Sequence, residues 1–123
     1  MASRSMRKGK GFEREVAKII NDKFGLKGTS GEVRRTPGSG NLDIKGDLRG
    51  LSGRMSDFVI ECKKQESLNI WKCLEQSRQQ AGSKMEMLVF SRNNTRTYAA
   101  MQLEDLLNVI KELEDLAELR GGK

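Results

Sequence analysis

The segment Phe58–Lys63 constrains this chain more than any other. It begins with three apolar residues and predicts a buried β-strand, yet Glu61 and Lys63 place charge inside it. Side chains alternate faces along a strand, so Glu61 and Lys63 share one face while Ile60 and Cys62 point into a core. Packing alone does not require a charged pair on so apolar a strand. The pattern therefore indicates a functional site, with a solvated cross-strand ion pair as the alternative.

An acidic residue stands upstream in a second short apolar segment. Asp47 lies at the start of a predicted strand over residues 46–51, fourteen residues before Glu61. Antiparallel neighbours would bring the two carboxylates to one edge of a sheet. Since Mg²⁺ prefers oxygen ligands and usually takes one or two carboxylates, both residues are candidate metal ligands. The backbone carbonyl of Cys62 is a candidate third ligand, and Lys63 is placed to orient a water or neutralise charge.

Length and composition predict one domain, residues 1–123. Two cysteines, Cys62 and Cys73, are too few for a disulfide framework and indicate a reduced intracellular protein. We find no apolar stretch of membrane-spanning length and no signal peptide. We therefore expect a cytoplasmic protein without a membrane partner.

Charge is distributed unevenly along the chain. The net charge is +6, made up of +7 over residues 1–54, +2 over residues 55–102 and −3 over residues 103–123. The basic half is a candidate surface for nucleic acid, although a merely soluble basic surface fits the charge equally well. The chain has no histidine, which excludes histidine-based zinc sites, Ser-His triads and histidine general bases.

Periodicity predicts the element order α-β-β-β-α-β-β-α, a mixed α+β (α/β) fold in which helices flank a central sheet. Residues 1–10 are expected to form a flexible basic arm. The predicted elements are helix 11–24, strands 32–36, 46–51 and 57–63, a helix capped by Ser67 or Asn69 that runs to about Gly82, strands 85–91 and 95–101, and an amphipathic helix over 103–119.

Four elements in order resemble a known nuclease family, the PD-(D/E)xK nucleases, and within it the small Holliday-junction resolvases of archaea and their phages. The elements cover most of the first 90 residues and are Arg7-Lys8-Gly9 with Phe12-Glu13-Arg14, Ser39-Gly40, Gly46-Asp47-Leu48 and Ile60-Glu61-Cys62-Lys63. The resemblance implies a restriction-endonuclease-like fold in which Asp47 and Glu61 bind metal and Lys63 acts in catalysis. It also implies that Glu13 contributes through a metal-bound water.

The sequence departs from this family pattern at three points, the first of which is a C-terminal leucine-rich helix longer than expected for the family's smallest members. Gly46 replaces the proline of the family's name. Asp43 is a competing acid, eighteen residues before Glu61. We favour Asp47 because it opens the apolar strand and its spacing fits the family better, whereas Asp43 is expected in the preceding loop.

The predicted DNA-binding residues are mostly basic and lie in the first two thirds of the chain. They are Arg7, Lys8, Lys10, Arg14, Arg34, Arg35, Ser39, Lys64 and Gln76. Each taken singly is equally consistent with an ordinary surface position. Trp71 is a candidate for stacking on a base, but we expect it in the core.

The predicted function is a Mg²⁺-dependent, structure-selective DNA endonuclease, a Holliday-junction resolvase, with Mn²⁺ expected to substitute. The alternatives are another nuclease of the same fold acting on duplex or flap DNA, and a non-catalytic nucleic-acid-binding module. The expected partner is branched DNA, a four-way junction, whose near two-fold symmetry favours a homodimer. The leucines of helix 103–119 either complete the core of one chain or form the seam with a partner.

Overall fold

The computed structural model describes residues 4–37 and 46–121, and the side chains of residues 4–8 lie outside that description. The elements are α1 (Arg4–Phe24), β1 (Arg34–Arg35), β2 (Leu48–Arg49), a 3₁₀ helix (Gly53–Asp57), β3 (Phe58–Lys64), α2 (Ile70–Ala81), β4 (Met85–Ser91), β5 (Tyr98–Ala100) and α3 (Leu103–Leu119). This confirms the predicted order of helices and strands and the mixed α+β class. The short 3₁₀ helix before β3 was not predicted.

The strands form two small sheets. β3, β4 and β5 make a three-stranded sheet in that order, with β3 parallel to β4 and β4 antiparallel to β5. α2 is the crossover that a parallel pair requires. β1 and β2 pair separately as an antiparallel ladder of two residues each.

The core lies between α1 and one face of β3 and β4. Ile60 and Cys62 are 1% and 7% exposed and pack in one cluster with Phe12, Val16 and Val89. The predicted inward direction of Ile60 and Cys62 is therefore confirmed. The other face of the sheet is covered by α2, whose Asn69 cap accepts a hydrogen bond from the backbone N–H of Lys72 at 3.1 Å.

The first helix differs from the prediction at its start and on its apolar face. It begins at Arg4 rather than Gly11, so residues 4–10 continue the helix instead of forming a loose arm. Lysine, arginine and methionine are good helix formers, and seven residues rich in them extend a helix that the core already fixes. The apolar spacing of helix 11–24 includes Ile19 and Phe24 and predicts that both are buried, but they are 51% and 60% exposed.

Two buried polar side chains, Asn21 and Glu86, fix the helices onto the strands. The Asn21 amide donates to the Val33 carbonyl at 2.9 Å and accepts from the Val33 N–H at 2.8 Å, which ties α1 to the segment before β1. On the other side of the sheet, Glu86 of β4 is 4% exposed and pairs with Arg78 of α2 at 2.5 Å and with the Gln102 amide at 2.9 Å. Buried polar groups are tolerated when they are paired in this way.

Gly46 approaches β3 more closely than any residue with a side chain can. Its φ is +85°, and a Cβ built on it would lie 2.9 Å from the Ile60 carbonyl oxygen and from Val59 Cγ1. Proline, whose ring fixes φ near −65°, cannot adopt this conformation. The glycine that replaces the family's proline is therefore required by the local backbone.

Replacing Gly46 with alanine should lower the free energy of unfolding by about 1–3 kcal/mol, since both the positive φ and the close approach to β3 oppose a Cβ. Urea denaturation of the purified chain measures the change. Gly31→Ala is the matched control, because its Cβ would meet only ordinary contacts at 3.7 Å. Equal effects of the two substitutions would contradict the argument.

Candidate active site

Asp47 joins the two sheets through three hydrogen bonds. Its backbone N–H donates to the Ile60 carbonyl at 2.8 Å, and its own carbonyl accepts from the Thr36 N–H at 2.8 Å. Its carboxylate Oδ2 accepts from the backbone N–H of Cys62 at 2.7 Å. Asp47 therefore lies close to the strand of Glu61, as predicted. Individual hydrogen bonds at Asp47 make this approach, and β2 forms no continuous ladder with β3.

Glu61 and Lys63 lie on the face of β3 opposite Ile60 and Cys62, as the alternation predicts. Both are partly buried. Burial raises the pKa values of Asp47 and Glu61, and the Lys63 ammonium offsets part of the rise in both, so the three groups interact electrostatically. The structure therefore brings together the acid-and-lysine group that the sequence predicts.

Glu13 reaches the same neighbourhood from α1. Its Oε1 lies 3.2 Å from Arg35 Nε, and the two side chains are only 17% and 22% exposed. Burial and then the charge of Asp47 raise the pKa of Glu13, so the two carboxylates interact. Sequence reasoning assigned Arg35 to DNA, and no local pattern indicates that it partners an acid 22 residues away.

The three carboxylates oppose one another's ionisation. Burial, followed by the charges of Asp47 and Glu13, raises the pKa of Glu61 to about 7. Burial also raises the pKa values of Asp47 and Glu13, against the lowering effects of Lys63, Arg35 and the Cys62 N–H. Closely spaced carboxylates in a partly desolvated site favour a cation between them.

The donor set suits a hard cation that keeps several waters. The described residues contain no group of three or more histidine, cysteine, aspartate and glutamate side chains positioned to hold a metal. Asp47 and Glu61 supply two carboxylates, which is the usual protein share for Mg²⁺. The Cys62 carbonyl leaves β3 toward the same edge as the N–H that binds Asp47. The Cys62 thiol points into the core, where burial raises its pKa, so it is not available as a thiolate.

The basic residues predicted to bind DNA fall into two groups. Lys10, Arg14 and Arg34 are exposed, and Lys10 lies close enough to Glu13 to lower the pKa of that carboxyl. Lys64 instead lies over the Phe12 ring, 6.0 Å from its centroid, with its Nζ 4.0 Å from Glu15. Lys64 therefore packs against α1.

α2 presents an unexpected aromatic side chain beside the predicted glutamine. Gln76 is exposed and lines a shallow groove together with Asn69, Trp71 and Lys72. Trp71 is 80% exposed, so its predicted place in the core is wrong. α2 packs on the sheet through Ser77 and Ala81, and Trp71 lies on a different side of the helix.

Some predicted site residues lie outside the described parts of the chain. These are Ser39 and Asp43, which fall between residues 37 and 46, and the side chains of Arg7 and Lys8. Their roles stay predictions. Asp47 contacts β3 directly, and the preference for Asp47 over Asp43 stays a prediction.

Comparison with known proteins identifies the family of the chain. A search of curated proteins and a search of solved structures gave no match. A family model described as "Phage putative PDDEXK endonuclease" matches residues 4–119, which include Glu13, Asp47, Glu61 and Lys63. The match spans nearly the whole chain, and this protein belongs to that family of phage PDDEXK nucleases.

Proposed function

We propose that this nuclease is a Mg²⁺-dependent, structure-selective DNA endonuclease that cleaves four-way junctions. The observation that carries the proposal is the grouping of Asp47, Glu61, Lys63 and Glu13 at one edge of β3, where burial and mutual repulsion raise the pKa of Glu61 to about 7. Such a group of charges lowers the stability of the fold. The same group can provide metal ligands and a positive charge for phosphodiester hydrolysis.

The roles of the side chains follow from their contacts. Asp47 and Glu61 would hold the metal, which when bound activates a water and offsets the negative charge of the phosphate. The Cys62 N–H fixes one oxygen of Asp47 and leaves the other available. Lys63 holds a positive charge on the face where negative charge develops, and it can donate a hydrogen bond there. Arg35 holds Glu13 in place as a hydrogen-bond acceptor for water.

A basic groove next to Glu13 supports binding to DNA phosphates. One groove between α1 and β1 is lined by five basic residues, Arg14, Lys18, Lys27, Arg34 and Arg35, and by two acids, Asp22 and Glu32. Lys18 pairs with Asp22, Arg34 lies 3.6 Å from Glu32, and Arg35 binds Glu13, which leaves Arg14 and Lys27 as the further basic side chains of the groove. The groove therefore runs up to the carboxylate group. Contacts to phosphates position a protein on DNA without reading sequence, which suits recognition of a branched shape. The choice of a four-way junction rests on the resemblance to junction resolvases.

The first test is cleavage of a labelled four-way junction and the matching linear duplex with Mg²⁺, with Mn²⁺ and with EDTA. We expect paired symmetric cuts in the junction only, none with EDTA, and cleavage with Mn²⁺. Asp47→Ala should reduce the cleavage rate by about 10²-fold or more, since it removes a proposed metal ligand. Asp115→Asn is the control, because that carboxylate lies on α3 and is paired with Lys111 at 2.6 Å.

The outcomes separate the proposal from its rivals. Equal cleavage of duplex and junction would support the nuclease activity and contradict the selectivity for junctions. Tight junction binding without cleavage under any metal would indicate a non-catalytic nucleic-acid-binding module instead.

Junction binding should weaken steeply between roughly 50 and 200 mM salt, because phosphate contacts release counterions. Replacing Arg14 or Arg34 with glutamine should each reduce the slope of log K against log salt by about one. Fluorescence anisotropy over a salt series measures the slope. Lys111→Gln on α3 should leave it unchanged, and a flat salt response of the wild type would oppose phosphate recognition.

The metal-free protein should lose stability as pH rises from about 4.5 to about 7. The folded-state pKa of Glu61 lies above its ordinary value of 4.5, so folding favours the protonated form and this contribution disappears once the pH passes 7. Mg²⁺ should therefore raise the unfolding temperature more at pH 8 than at pH 5, where Glu61 is protonated.

The matching variant is Glu61→Gln, which removes the buried charge. At pH 8 it should stabilise the metal-free protein by about 1 kcal/mol after allowance for solvent screening, and it should abolish the rise with Mg²⁺. Differential scanning calorimetry across pH makes the measurement, with the exposed Glu118→Gln as control. Metal-independent stability of the wild type at pH 8 would count against a cation at Glu61.

A further inference from the structure

α3 leaves its apolar side in water. The helix has 17 residues and none of them is buried. We define the leucine stripe as its exposed large aliphatic residues, which are between 41% and 83% exposed: Leu103, Leu106, Leu107, Ile110, Leu113, Leu116 and Leu119. From the sequence, these leucines either complete the core or form a seam with a partner. In the described part of the chain, none of them is buried in the core.

The helix attaches to the body by a different side. Val109 packs against the core cluster, and Glu112 lies 2.9 Å from Arg54 of the 3₁₀ helix. Asp105 is also partly buried. Residues 105, 109 and 112 follow one another at helical spacing, so this side faces the protein. Leu103, Leu107 and Ile110 lie on the opposite side, flanked by Leu106 and Leu113. Leu116 and Leu119 continue the attached side at the end of the helix, where both are exposed.

The exposed area is large for a single chain. The stripe leaves on the order of 600 Å² of apolar surface in water, as much as the largest patch on a typical monomer and close to the roughly 800 Å² that each partner of a stable complex buries. A patch of this size marks an interaction surface.

The charge of α3 restricts the class of molecule that can bind the leucine stripe. α3 carries six acidic residues, namely Glu104, Asp105, Glu112, Glu114, Asp115 and Glu118, against one basic residue, Lys111. A helix this acidic is repelled by DNA phosphates and by anionic lipid headgroups. The partner is therefore the apolar surface of a protein.

The spacing of the stripe selects another helix of the same pattern. Leu103, Leu106, Ile110 and Leu113 are separated by 3, 4 and 3 residues, the repeat by which two helices interlock side chains. In this repeat the flanking positions nearest the seam include Leu107 and Leu116, which are apolar. Of the six acids, five stand at the outer positions and Glu114 alone flanks the seam, so two copies meet with little repulsion.

We propose that the leucine stripe of α3 binds the leucine stripe of a second copy of this chain, forming a two-fold homodimer. A helix face that repeats its own pattern is self-complementary, which an isologous interface requires. The inference rests on the surface of α3 and does not depend on nuclease activity.

The test is the mass of the full-length chain by sedimentation velocity or light scattering from about 1 to 100 μM. The wild type should pass from monomer to dimer across this range. The double variant Ile110→Gln with Leu113→Gln should weaken the dimer dissociation constant at least tenfold. Ile110→Leu with Leu113→Met, which keeps the surface apolar, should dimerise like the wild type, and so should Lys111→Gln with Asp115→Gln on the outer side of the helix.

Two further measurements separate an interface from a core and from the nuclease site. In dilute solution the glutamine pair should unfold at the same temperature as the wild-type monomer, because both side chains are already exposed. A strong loss of stability there would place the stripe in the core and overturn the proposal. A wild type that stays monomeric at 100 μM would also overturn it, and would leave the nuclease proposal intact. Asp47→Ala should remain dimeric, so a dimer without cleavage removes only the nuclease proposal.

Discussion

The hydrogen bonds of Asp47 are the constraint on which the site depends. Its backbone links Thr36 to Ile60, and its carboxylate accepts from the Cys62 N–H, so one residue joins the β1–β2 ladder to β3. Gly46 makes this approach possible because a Cβ there would collide with β3. The carboxylate is therefore positioned by backbone geometry, and its placement does not rely on a long side chain finding one rotamer. Pre-organisation of this kind is what a metal-dependent reaction needs.

The same contacts make the ionised carboxylates unfavourable for the stability of the fold. Burial raises the pKa values of Asp47, Glu61 and Glu13, and the positive charges of Lys63 and Arg35 offset it only in part. Because the core on the opposite face of β3 is well packed around Ile60 and Phe12, the fold tolerates this cost. Sites that violate the rules of stability in this manner are the places where function is to be sought.

The sequence predicts a structural feature well when the contacts that determine it join neighbouring residues, and poorly when they join residues far apart in the chain. The alternation along β3, the Asn69 cap and the bounds of β4 follow from neighbouring residues and agree with the structure. The partnership of Arg35 with Glu13 joins residues far apart in the chain, and the exposure of Trp71 depends on which side of α2 meets the sheet. Neither is encoded in a short window, since a side chain of either kind fits several environments.

The charge of the chain is divided in space as well as in sequence. The basic residues Arg14 and Arg34 line a groove that adjoins the carboxylate group, whereas the acidic α3 is attached through Val109 and Arg54. An acidic α3 keeps DNA off the leucine stripe and leaves that surface to a protein partner. If two copies pair through α3, the complex carries two β3 sites related by a two-fold axis. A four-way junction, the substrate we propose, has nearly the same symmetry. The helix α3, which contributes none of the described side chains of a single site, would then determine how two sites meet one junction.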